Sequence, residues 1–154
     1  MLREWVAKAV VENSFIAGII LFGSTARGEQ SDRSDIDLLV LWDDIEMARN
    51  EAYVYVYKAV AKHFPPQVSL TILDMRYADF MNIQEATPLI LNIIWDGVVL
   101  YDRYGKLEEL LTSVRKALQN MNITPCKRGK YYYWRLPKPG SQVEINVAHD
   151  YKPS

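Results

Sequence analysis

The segment from Leu21 to Trp42, LFGSTARGEQSDRSDIDLLVLW, holds the residues whose types and spacing can do chemistry. Asp35 and Asp37 are two apart. On a strand they project from one face, with α-carbons about 7 Å apart. Two carboxylates so close repel each other, and a divalent cation with oxygen ligands holds them ionised directly. Mg²⁺ commonly takes one or two carboxylates and shares the rest of its shell with substrate phosphates. The Gly23-Ser24 turn supplies the complementary half. A turn that feeds a helix N-terminus presents N–H groups without helical partners and the positive end of the helix dipole. Gly23 lets a phosphate approach the backbone, and Ser24 adds a hydroxyl donor. A metal-bound triphosphate fits between the two halves. Arg27 can support its phosphates or pair with an aspartate, and Arg33 can do either.

The elements that position these groups are legible from pattern. Leu2, Trp5, Val6, Ala9 and Val10 recur at three and four, the mark of an amphipathic helix ended at Asn13-Ser14. Phe15 to Phe22 is a continuous apolar run and reads as a buried strand. Gly23-Ser24 turns into a short helix over 25–29, and Asp35 to Trp42 is a second strand that buries Ile36, Leu38 and Val40 opposite the acid pair. For 45–63, helix is preferred over strand on length, with Tyr53, Val56, Tyr57 and Val60 on one face; Pro65-Pro66 stops it. Val68 to Leu73 is a third strand, and Asp74 leads into a short helix. Thr87-Pro88 caps an apolar helix to Trp95, with Gly97 as its terminator, and a short strand spans 98–101. Asp102 and Arg103 read as an ordinary polar turn. Leu107, Leu110, Leu111, Val114 and Leu118 form one stripe of a further helix, which must be buried on this chain or on a partner. After a loop over 124–129, KYYYWRL and QVEINV read as a hairpin joined across Pro137 to Gly140. The expected organisation is a core over 1–103 and a helix-plus-hairpin extension over 104–154, in one compact unit.

Composition narrows the class. At 154 residues with 49% apolar side chains, the chain fits one domain with a true core. The net charge of −1 provides no general attraction to nucleic acid or anionic membrane. The single cysteine, Cys126, excludes an internal disulfide. No run approaches the roughly 18 apolar residues of a membrane span, and the N-terminus lacks a signal-peptide block. A soluble cytoplasmic protein is expected, without a membrane partner.

The fixed residues Gly23-Ser24-x-x-Arg27-Gly28, then Ser34-Asp35-Ile36-Asp37-Leu38, resemble the signature of the DNA polymerase β-type nucleotidyltransferase superfamily, and the small size resembles its minimal members. The resemblance covers about residues 1–75. It implies an α+β fold, a mixed sheet with helices mainly on one face. It also implies Mg²⁺ (or Mn²⁺) on Asp35 and Asp37, and a nucleoside triphosphate bound by Gly23, Ser24, Arg27 and Arg33. The implied reaction moves a nucleoside monophosphate, AMP foremost, onto a hydroxyl. Minimal members can act as antitoxins that adenylylate a partner toxin, so a partner protein or a second copy is expected.

In that family a third acidic residue usually lies on the strand after the central helix. In Val68-Ser69-Leu70-Thr71-Ile72-Leu73-Asp74, Ser69 stands at that place and Thr71 shares its face, whereas Asp74 points to the other side of a regular strand. This departure supports a second reading, a catalytically weak nucleotide-binding or protein-interaction module. The tail CKRGKYYYWRLPKPG interleaves Lys127, Arg128, Lys130 and Arg135 with aromatics, as single-strand RNA binders do. Packing of a hairpin is favoured over RNA there, with Trp134 buried. His63 is assigned no catalytic role.

Overall fold

The computed structural model of the protein describes residues 1–28, 35–128, 131–136 and 143–145. Along the chain run α1 (Leu2–Glu12), β1 (Ile16–Phe22), α2 (Gly23–Ala26), β2 (Ile36–Trp42), α3 (Arg49–Ala61), β3 (Leu70–Arg76) and α4 (Tyr77–Met81). They are followed by β4 (Glu85–Ala86), α5 (Pro88–Asp96), β5 (Val98–Asp102), α6 (Leu107–Asn120), β6 (Pro125–Arg128), β7 (Tyr131–Trp134) and β8 (Val143–Glu144).

The central sheet is mixed, in the order β3-β2-β1-β5. β1 is antiparallel to both β2 and β5, while β3 lies parallel to β2. A parallel neighbour requires a crossover, which α3 supplies. Every residue of β1 is buried, so its sequence is apolar without alternation. Ile19, Leu21, Leu38, Val40 and Ile72 pack with Val6 and Ala9 of α1 and Ala52, Val56 and Val60 of α3. Ile20, Phe22, Leu39 and Leu41 pack with residues of α4, α5 and α6. The fold is α+β with a mixed sheet, and its helices cover both faces of that sheet rather than mainly one. The second face is closed by the α6 stripe: Leu107, Leu110, Leu111, Val114 and Leu118 are all 3% exposed or less.

Several local expectations shift. The face α3 buries is Ala52, Val56 and Val60, while Tyr53 and Tyr57 stand outside with ring centroids 6.3 Å apart. Small and β-branched residues let a helix lie close on a sheet, and tyrosine keeps its hydroxyl in water. β3 begins at Leu70, two residues later than expected, and runs through Asp74 to Arg76. Thr87 does cap α5, its hydroxyl oxygen accepting the Ile90 N–H, with Pro88 in the first turn. Gly97, however, is not left-handed. A Cβ there would overlap the Ile93 carbonyl and lie 2.9 Å from Ile20 Cγ2, so glycine is required for space.

The expected hairpin is replaced by two pairings. β7 pairs with β6, which lies where the sequence suggests a loop, and β8 pairs with β4. Val143 and Ile145 are buried in the core beside α5 and α6, and the Ile145 N–H donates to the Gln84 carbonyl. Asp102 and Arg103 are more than a polar turn. Asp102 accepts from Tyr77 Oη and from the Leu107 N–H that opens α6, both at 2.8 Å. Arg103 donates to the Ile16 carbonyl at 2.8 Å. No helix among the described residues is long and apolar enough to cross a membrane.

Candidate active site

β1 ends at Phe22, which lies in register with Asp37 on β2. The chain therefore turns directly over the Asp37 carboxylate. Gly23 has φ +78°, in the left-handed region, and a Cβ there would overlap the Asp37 carboxylate. Glycine alone satisfies both demands. Thr25 Oγ1 donates to the Asp35 carbonyl at 2.9 Å, which ties the turn to the entry of β2. The Gly-Ser turn thus lies against the Asp37 carboxylate and is tied to the Asp35 backbone, with Ser24 half-buried and Leu38 in the core on the other face of β2.

The electrostatics follow from placement. Partial burial pushes the Asp37 carboxyl up from the ordinary aspartate range. The Thr71 hydroxyl pulls it back, the Asp35 charge raises it again, and the Arg27 charge lowers it. Asp35 is exposed. A half-buried carboxylate that feels the charge of a second one is a donor set suited to a hard divalent cation. Among the described residues no third His, Cys, Asp or Glu completes a cluster with the pair.

On β3, Thr71 is the residue in register with Asp37, and its hydroxyl lowers the Asp37 pKa against the effect of burial. Ser69 lies just before the strand, exposed, its carbonyl accepting the Ile36 N–H at 2.9 Å. The side chain that meets Asp37 is therefore Thr71 rather than Ser69. The parity was legible; the step along the strand was not, because it depends on the offset between two strands. Asp74 is in register with Val40, about 10 Å farther along the sheet. It faces the other way, accepting Trp42 Nε1–H at 2.9 Å.

Arg27 reaches the site and is anchored beyond it. Its Nη1 lies 2.7 Å from Asp96 Oδ2 at the last residue of α5. Asp96 has no signal in the sequence, being 69 residues away from Arg27. Arg33 and Ser34 lie outside the described residues. In the tail, Trp134 is engaged by protein: its Nε1–H donates to Asn92 Oδ1 at 2.5 Å, and its ring meets Trp95 edge-on at 5.8 Å. Lys127 and Arg128 are exposed on β6.

The family model for polymerase β nucleotidyltransferases matches residues 4–106. The match spans well over half of the chain, and the chain belongs to that family: it is a nucleotidyltransferase. Among solved structures it is similar to a toxin–antitoxin complex crystallised with AMP-PNP, with TM-score 0.52 and 21% identity over 79% of this chain and 90% of that one. It is also similar to the toxin–antitoxin MntA-HpeT carrying two aspartate-to-glutamate substitutions, with TM-score 0.50 and 20% identity over 78% and 89% of the two chains. A search of curated proteins found no match.

Proposed function

We propose that the protein transfers a nucleoside monophosphate, AMP foremost, from a nucleoside triphosphate to a hydroxyl of a partner protein. The observation that carries the reading is the contact of the Gly23 turn with Asp37, which supports a phosphate site at the turn beside a metal site on the acids. Asp35 and Asp37 would hold Mg²⁺ or Mn²⁺, which when bound supplies positive charge at the phosphate oxygens. The turn at Gly23 and Ser24 presents N–H groups and a hydroxyl to the phosphates. Arg27 adds a fixed cation within reach of Asp37's field. The acceptor oxygen forms a bond to the α-phosphorus, the bond to the bridging oxygen breaks, and pyrophosphate leaves as the acceptor proton is lost. The similar toxin–antitoxin complex with AMP-PNP supports an adenine nucleotide as donor and a protein as partner.

A second reading, a nucleotide-binding module with little turnover, is favoured by Thr71, a neutral residue where a third acid would meet the pair. Incubation with α-labelled ATP, GTP, CTP or UTP and Mg²⁺, with and without cell extract or RNA, tests both. Label transferred from ATP to a protein, and lost in Asp37→Ala, is the expected result. Transfer to RNA would reassign the acceptor. Mg²⁺-dependent nucleotide binding without transfer would support the second reading, and neither binding nor transfer would overturn both.

A further inference from the structure

We propose that Asp96 is a positioning residue for nucleotide binding: from the end of α5 it holds the Arg27 guanidinium beside the acid pair, ready for the phosphates. The inference rests on the nucleotidyltransferase reading of the site. Its basis is a chain of contacts from α6 to the turn. Arg115 of α6 donates through Nε to the Ile94 carbonyl at 2.9 Å and through Nη2 to the Gly97 carbonyl at 2.7 Å. The backbone on both sides of Asp96 is thereby held. Asp96, with only 11% of its side chain exposed, places Oδ2 2.7 Å from Arg27 Nη1.

A carboxylate on the last residue of a helix faces the negative end of the dipole, so the helix itself does not favour it. What it gains there is a cation brought from another element. An arginine carries many rotamers, and one anchored before the ligand arrives loses less freedom on binding. A guanidinium has five N–H donors in a planar fork, so it can bridge a carboxylate and phosphate oxygens at once. The opposite effect is also physical: Asp96 could simply neutralise Arg27 and weaken phosphate binding. The two give opposite signs on removal of the Asp96 charge.

Calorimetric titration with inorganic tripolyphosphate and Mg²⁺ reads the site without presupposing a base. Arg27→Ala should weaken binding about tenfold, and Asp96→Asn about three- to tenfold. Asp96→Glu, which keeps the charge but displaces it, should fall between Asp96→Asn and the parent; it also serves if Asp96→Asn does not fold. In the Arg27→Ala background, Asp96→Asn should add less than about twofold, since both remove one unit. Equal or tighter binding by Asp96→Asn, or full additivity in the double variant, overturns the inference while the functional reading stands. Loss of the functional reading looks different: the parent fails to bind Mg²⁺-tripolyphosphate, or Asp37→Ala binds it unchanged, and then both fall.

Discussion

Asp37 carries an electrostatic cost into the fold. Burial and the Asp35 charge make its ionised form less favourable than in the unfolded chain. Its folded pKa therefore lies above the unfolded value of about 3.9. The folded chain binds this proton more tightly, so the contribution of Asp37 to stability is present at low pH and is lost as pH rises through the folded pKa. At neutral pH without metal, Asp37→Asn should raise Tm by about a degree or two, small because the carboxylate keeps part of its water. The same substitution should abolish the stabilisation added by Mg²⁺ with nucleotide. Scanning calorimetry in chelator and in Mg²⁺ with ATP checks both; a lower Tm in chelator would show that the pair is not strained. Thr71→Asp should do the reverse. It adds a carboxylate against Asp37, so Tm in chelator should fall. Labelled transfer should rise by about tenfold or more if the new acid acts as a base, a role that typically contributes about 10²–10⁴. Unchanged transfer would place the limiting step elsewhere.

Elements meet at the end of α5. Gly97 leaves no side chain between the Ile93 carbonyl and Ile20, and Arg115 satisfies the Ile94 and Gly97 carbonyls that the helix end leaves open. Arg115→Met keeps much of the apolar stem and removes these charged donors. It should cost about 1.5–3 kcal/mol, read as a lower denaturant midpoint at constant slope. Lys116→Met, on the exposed side of α6, should stay within about 0.5 kcal/mol. Comparable losses in both would mean that α6 composition, not the cap, sets the effect. The cap of α5 by Thr87 and Pro88 was legible because caps are local; Arg115 was not, because nothing in its neighbourhood indicates the helix it serves.

Among the described residues, two apolar layers lie on either side of the central sheet. α6 closes the layer on which Phe22, Leu39 and Leu41 lie, the face that also carries Asp37 by strand alternation. Leu111 is fully buried there, and Leu111→Ala should cost about 2–5 kcal/mol through lost transfer energy and the cavity left behind. Urea unfolding measures it; a loss below about 1 kcal/mol would mean that the stripe is not integral to the core. The five apolar positions of α6 could be picked out by spacing alone, and the helical identity of α3 by the length of its segment. The buried face of α3 could not, since Ala52 looked unremarkable beside four strong apolar candidates.

What the sequence determined by itself is what chain-local geometry dictates. Residues two apart on a strand share a face, which is why Asp35 and Asp37 read as a pair, with β2 itself beginning at Ile36. A glycine before a helical turn can take the left-handed conformation, as Gly23 does at φ +78°. These rules act within a few residues, and the family signature is built from them. What only the tertiary structure decided is which distant groups meet: Thr71 rather than Ser69 against Asp37, Asp96 on Arg27, β8 on β4. Each depends on strand offset or helix placement. Those are settled by packing summed over whole layers, and a two-residue offset in β3 keeps every side chain on its face while moving it about 7 Å along the sheet.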